Sequence, residues 1–116
     1  MHGVFLDGYI KHVPTTFDVL AEPTRRRILD LLRERPRLVG ELAVALELSQ
    51  PGTSKHLRVL REAGLVEVRP DAQRRWYELC PEPLREIDSW LRPYRQLWDD
   101  RLDALERHLD AGPDGR

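Results

Sequence analysis

The chain has 116 residues, 41% of them apolar, with 19 basic and 20 acidic side chains and a formal net charge of -1. That size suits one domain with a modest core, and the single cysteine, Cys80, excludes an internal disulfide framework and fits a reducing compartment. No segment approaches membrane-spanning length, and the opening MHGVFLDGYIKHVPTT lacks the basic region and long apolar run of a secretion signal, so a cytoplasmic location with no membrane partner is expected.

Residues 1–15 read as an N-terminal extension, in which Val4, Phe5, Leu6, Tyr9 and Ile10 are more apolar than a free tail needs. They are expected either to pack on the body or a partner or to form a frayed leader. Thr15 or Thr16 can cap a short helix through Leu20 and Ala21, and Glu22-Pro23-Thr24 opens a longer one that runs to about Arg35 and stops at Pro36. Ile28, Leu29, Leu31 and Leu32 are its expected buried positions. Arg25, Arg26 and Arg27 spread around the helix and read mainly as a solvated face. Arg37 to Val39 fits a short strand that pairs with the hairpin further along the chain.

Val39, Leu42, Ala43 and Leu46 share one face of a short helix, and Thr53, Leu57, Leu60 and Ala63 share one face of the next. Between them Glu47-Leu48-Ser49-Gln50 fits only a tight turn, with Leu48 expected to plug the angle between the helices. Ser49 is the expected N-cap of the second helix, with Pro51 in its first turn and Gly64 as its left-handed stop. Leu65 to Arg69 and Arg74 to Leu79, rich in Val, Trp and Tyr, then read as a hairpin with a polar tip, Pro70-Asp71-Ala72-Gln73. The tip has no glycine, which leaves its turn type open, and one of Trp76 and Tyr77 should point to the core. The expected fold is mostly α with a small β-hairpin wing, a winged helix-turn-helix.

From Pro83 to about Leu109 a long amphipathic helix is expected, with Leu84, Ile87, Leu91, Tyr94, Trp98, Leu102, Leu105 and Leu109 at steps of three or four. Pro93 should kink or divide it near Leu91 and Arg92. Trp90 and Leu97 add a second apolar stripe, wider than one small domain needs. The excess points to a partner helix, for which a second copy of the chain suffices, although the helix folding back on its own domain is the alternative. Residues 16–80 thus form the core domain, 81–110 a C-terminal dimerisation helix and 111–116 a disordered tail.

Charge is unevenly distributed along the chain. Residues 1 to 49 carry 7 basic and 7 acidic side chains, residues 50 to 77 carry 6 and 3, and residues 78 to 116 carry 6 and 10. The positive block is the second short helix plus the hairpin, which points to DNA. Opposite the apolar stripe lie Gln50, Ser54, Lys55, Arg58 and Arg61, the first of them at the end that enters a major groove in this motif. Gln pairs bidentately with adenine, and Ser and Lys reach base edges or phosphate. Arg74 and Arg75 beside Trp76 suit a phosphate strand or a neighbouring minor groove. His56 reads equally as a packing or capping histidine and as a DNA contact.

These segments carry a family resemblance. EPTRRRIL, VGELA, SQPGTSKHLRVLREAGLV and RRWYEL resemble the ArsR/SmtB family of small dimeric winged-helix transcriptional repressors along nearly all of residues 16 to 80. The tail PLREIDSWLRPYRQLWDDRLDALERHLD is similar to a branch without metal ligands. The resemblance implies a homodimer joined through its first and last helices, which adds Phe17 and Leu20 to Leu84, Ile87, Trp90, Leu91, Tyr94, Trp98, Leu102 and Leu105 as dimer residues. It implies repression of a palindromic operator, often the protein's own promoter, until an inducer releases it. By position it implies DNA roles for Gln50, Ser54 and Lys55, with Ser49, Thr53, His56 and Arg58 around them and Arg74 and Arg75 on the wing. Gly52 and Thr53 depart from the family's usual small and apolar residues there, which should loosen the first turn.

Metal sensing is not expected. Metal-responsive members place cysteines where this chain has Glu41-Leu42-Ala43-Val44-Ala45-Leu46, and a thiolate site needs more than Cys80. The last helix offers only His108 with Asp99, Asp100, Asp103 and Glu106, at spacing that does not match the family's second site. His2 and His12 would complete a set only if the N-terminal tail docked beside it. An organic inducer near Trp90, Tyr94 and Trp98, oxidation of Cys80, or no signal at all remain. No cofactor is expected, and no phosphate loop or catalytic pair argues for an enzyme. The competing reading is a winged helix turned to protein contacts, which has less need of Lys55, Arg58, Arg74 and Arg75.

Overall fold

The computed structural model describes residues 15–111. Helix α1 (Thr16–Leu20) starts at a reciprocal box: the Asp18 N–H donates to the Thr15 hydroxyl at 3.1 Å and the Thr15 N–H to the Asp18 carboxylate at 3.0 Å. Helix α2 (Pro23–Glu34) follows, with Pro23 in its first turn and the Glu22 carboxylate accepting from the Thr24 N–H at 3.0 Å. Its inner face buries Ile28, Leu29 and Leu32, while Leu31 packs half-buried at the core's margin. Arg25 donates to the carbonyls of Val19 and Asp18, and Arg26 to that of Leu20. Two side chains of the basic run therefore satisfy the open carbonyl end of α1.

Strand β1 (Arg37–Leu38) leads directly into helix α3 (Val39–Leu46), which buries Leu42, Ala43 and Leu46. Glu47 closes α3 in the left-handed region at φ 57°, and the Leu48 N–H donates to Ala43 O at 3.0 Å. This is a Schellman-type ending with Glu at the position that favours glycine. Leu48 itself is 39% exposed, so it does not plug the interhelical angle. Helix α4 (Gln50–Glu62) buries Thr53, Leu57 and Leu60. It ends in the same kind of motif, with Gly64 at φ 77° and the Leu65 N–H donating to Leu60 O at 3.0 Å, so Leu65 turns fully into the core.

Strands β2 (Val66–Asp71) and β3 (Arg74–Leu79) make the hairpin, and β1 joins its far side to give an antiparallel sheet in the order β1-β3-β2. The hairpin is tighter than the sequence suggests: Asp71 pairs with Arg74, which leaves a two-residue tip, Ala72-Gln73, with Ala72 at φ 57°. Tyr77 is the aromatic that enters the core, while Trp76 is half-buried. The core gathers Val19 of α1, Ile28, Leu29 and Leu32 of α2, Leu42 and Leu46 of α3, Leu57 and Leu60 of α4, and Leu65, Val66 and Tyr77.

Among the described residues, those from Thr15 to Leu84 form one compact unit and those from Arg85 to Ala111 a second. Helix α5 (Leu84–Ala111) is continuous over 28 residues, and Pro93 does not divide it. Proline removes one backbone donor from the turn. Across that turn Arg95 reaches back, donating to Asp88 O at 3.1 Å and pairing with the Asp88 carboxylate at 2.7 Å. Taken by itself, α5 has no buried residue. Trp90, Tyr94, Leu97, Trp98, Leu102, Leu105 and Leu109 are 44–66% exposed, and the Trp90 and Tyr94 rings stack obliquely with centroids 5.0 Å apart. No described helix is long and apolar enough to cross a membrane. The expectations for the N-terminal extension and the C-terminal tail lie outside the described residues, apart from Thr15 and the helical Ala111.

Candidate nucleic-acid interface

The start of α4 is built by Ser49. Its hydroxyl accepts from the Gly52 N–H at 3.1 Å, and its carbonyl accepts from the Thr53 N–H at 3.0 Å and the Thr53 hydroxyl at 2.9 Å. A Cβ on Gly52 would lie 3.1 Å from the Ser49 hydroxyl, a tight approach that glycine avoids. The departures at Gly52 and Thr53 therefore tie the first turn down and do not loosen it. Thr53 is fully buried and uses its hydroxyl inside the turn, so its expected place among the DNA-facing residues is withdrawn. Placed i+3 on the apolar stripe of an amphipathic helix, it faces inward whatever its polarity.

The remaining expected side chains of this helix sort by exposure. Ser49, Gln50, Ser54, Lys55, Arg58 and Arg61 are exposed. The Gln50 amide lies over Gly40 of α3, whose Cβ, were there one, would stand 3.4 Å from the amide nitrogen. The glycine leaves room for the side chain to lie across the preceding helix. On the wing, Arg74 and Arg75 are exposed at the end of the hairpin. His56 is half-buried, with Nδ1 3.7 Å from a Glu22 carboxylate oxygen, so it faces α2 and not the outer surface.

Cations of this unit fall into two groups. Arg35 pairs with Glu41 at 3.3 Å, Arg37 with Glu34 at 2.7 Å and Arg69 with Glu78 at 2.8 Å, while Arg25 and Arg26 are held by carbonyls. Lys55, Arg58, Arg61, Arg74 and Arg75, and Arg27 and Arg33 of α2, have no ion pair with a described residue. Sequence reasoning weighed these cations by count and position. Their pairing was invisible to it because the partners come from other elements. An open cleft of about 480 Å³ lies between α4 and β2, lined by Arg58, Arg61, Glu62, Val66, Glu67 and Val68.

Among the dimer residues expected from the sequence, Leu20 and Leu84 are half-buried and pack against the margin of the chain's own core. Phe17 is 42% exposed, Ile87 and Leu91 are half-buried, and Trp90, Tyr94, Trp98, Leu102 and Leu105 are exposed. Cys80 is half-buried; burial and then the nearby Glu67 carboxylate push its thiol above the ordinary value. Thiolate is therefore scarce at neutral pH. Among the described residues no three His, Cys, Asp or Glu side chains converge to hold a metal ion.

The profile described as "Bacterial regulatory protein, arsR family" matches residues 22–68. The chain is 41% identical over 98 residues to the HTH-type transcriptional regulator Rv2034 of Mycobacterium tuberculosis, covering 84% of this chain and 89% of that protein. It is 44% identical over 98 residues to the arsenical resistance operon repressor of Escherichia coli, covering 80% of each. The homodimeric winged helix-turn-helix DNA-binding domain of Mb0332 from Mycobacterium bovis superposes with a TM-score of 0.57 at 29% identity, over 69% of this chain and 74% of that one. A cap-started helix, a two-residue wing tip and free cations on both thus sit on a family framework: this chain belongs to the ArsR family of bacterial transcriptional regulators.

Proposed function

We propose that the protein is a homodimeric repressor that binds a palindromic operator, its own promoter among its targets, in the cytoplasm, and that a non-metal signal releases it. The observation that carries this reading is the exposed start of α4, with Gln50, Ser54 and Lys55, beside a wing whose Arg74 and Arg75 have no ion pair with a described residue. Unpaired cations at the wing are suited to phosphates, and the polar side chains of the helix to base edges. Arg58 and Ser49 flank this set. The exposed stripe of α5 suits pairing with the same stripe of a second copy, and a two-fold dimer would present two recognition helices to half-sites about 34 Å apart, one turn of DNA. The raised thiol of Cys80 argues against oxidation as that signal.

The test is fluorescence anisotropy on the DNA upstream of the protein's own gene, against a scrambled duplex, over a range of salt. Selective binding whose logarithm falls with log salt by about 0.9 for each phosphate neutralised, with the slope reduced in Lys55→Ala, is the expected result. Equal weak binding to both duplexes would instead favour a wing turned to a protein partner.

A further inference from the structure

Helix α2 packs against α4, and at their junction Glu22 meets His56. One Glu22 oxygen accepts from the Thr24 N–H and caps α2. The other, Oε2, is buried with no hydrogen-bond partner, and His56 Nδ1 stands 3.7 Å from it. That distance is too long for a hydrogen bond and short enough for a small side-chain rotation to close. A buried carboxylate oxygen without a donor is costly and uncommon. The imidazole facing it is the group able to supply one, most strongly as a cation.

The other charges around this junction are engaged elsewhere or point outward. Arg25, on α2, is held by the Val19 and Asp18 carbonyls, yet lies close enough to Glu22 to favour its ionised form; also on α2, Arg26 is held by the Leu20 carbonyl, Glu34 pairs with Arg37, and Arg27, Asp30 and Arg33 are exposed. Of the elements packed on α4, α3 carries Glu41, bound to the Leu38 N–H and Arg35, and Glu47, which is exposed. Strand β2 carries Arg69, paired with Glu78, and the exposed Glu67 and Asp71. On α4 itself, Lys55, Arg58, Arg61 and Glu62 are exposed. Glu22 is thus the charged group that His56 faces. His56 follows directly on Ser54-Lys55, so whatever holds its ring holds the roll of the helix that presents Gln50, Ser54 and Lys55.

We infer that His56 is a positioning residue: with Glu22 it forms a latch between α2 and the recognition helix, and protonation of His56 closes the latch and strengthens sequence-specific DNA binding. The inference rests on the DNA-binding reading above. It separates two effects of acidification, since a fixed helix roll matters for base contacts, whereas added positive charge helps any duplex.

The experiment measures anisotropy at constant salt at about pH 8 and about pH 6, spanning ordinary histidine titration, for the full chain and for Glu22→Gln and His56→Asn. Gln keeps the cap on Thr24, and Asn offers a neutral donor where Nδ1 stands. Wild-type affinity for the operator should rise on the order of three- to tenfold at the lower pH, with a smaller rise on scrambled DNA. Both variants should lose the operator-specific part of that rise and keep no more than the part common to both duplexes. An operator-specific pH response retained in Glu22→Gln would mean that His56 meets DNA itself, and an equal rise on both duplexes in the wild type would mean net charge alone; either overturns the latch, as does a flat wild type. If His56→Asn fails to fold, Glu22→Gln still decides. No selective binding by the wild type at either pH would sink the DNA reading, and the latch with it, a result distinct from selective binding that ignores pH.

Discussion

Helices α4 and α5 carry apolar residues at the same spacing, yet one stripe is sealed and the other open. In α4, Leu57 and Leu60 are 0–1% exposed, and in α5 the corresponding Trp98, Leu102 and Leu105 are 51–59% exposed. Periodicity says that a helix has an apolar face, and nothing about what covers it. The α4 face is covered by α2, α3 and β2 of the same chain. For α5 the cover proposed here is a second copy.

The largest effect that would break this contrast lies in the sealed stripe. Leu60→Ala, at a fully buried site, should cost about 2–5 kcal/mol, read as a fall in the denaturation midpoint that does not depend on protein concentration. Trp98→Glu on the open stripe should instead leave secondary structure intact and weaken dimerisation by roughly 2 kcal/mol or more, read by analytical ultracentrifugation. A lowered midpoint with unchanged mass would show that α5 is covered within its own chain. Gln50→Ala should cost about 1–3 kcal/mol of operator discrimination while leaving the denaturation midpoint in place, since the side chain is exposed. Loss of affinity on every duplex alike would remove it from the base-reading set.

Smaller effects test the turns around α3, α4 and the wing. Ala72→Gly at φ 57° should stabilise the fold by about 1 kcal/mol, read as a higher midpoint with unchanged DNA affinity. At the start of α3, the Leu38 N–H first and Arg35 second hold the Glu41 carboxyl below its ordinary value. A lowered folded value means a stabilising contribution that is complete above the unfolded carboxylate range and lost as pH falls through the folded one. Glu41→Gln should therefore flatten thermal stability between about pH 5 and pH 3, the range where carboxylates titrate, and an unchanged acid slope would place that sensitivity elsewhere.

Much of the fold was legible because its signals are local. Ser49 capping α4, Pro51 inside its first turn, Gly64 at its end, Thr15 opening α1 and the β1 segment beside the hairpin each depend on neighbours within a few residues. The errors were of another kind. Leu48 is exposed where it was expected to plug the angle between the helices, and of the two outcomes expected at Pro93, division of the helix does not occur. Thr53 was counted on both faces, and only its burial chose between them.

The sequence by itself determined the order of elements, the apolar stripe of each helix and the concentration of positive charge in α4 and the wing, because helical spacing, caps and turn residues act over a few bonds. Only the tertiary structure decided which cations stay unpaired, that His56 turns to Glu22, and that Trp76 yields the core to Tyr77. Those outcomes depend on side chains brought together from distant segments, where a distance of a few ångströms decides whether two groups pair, pack or remain open to a partner.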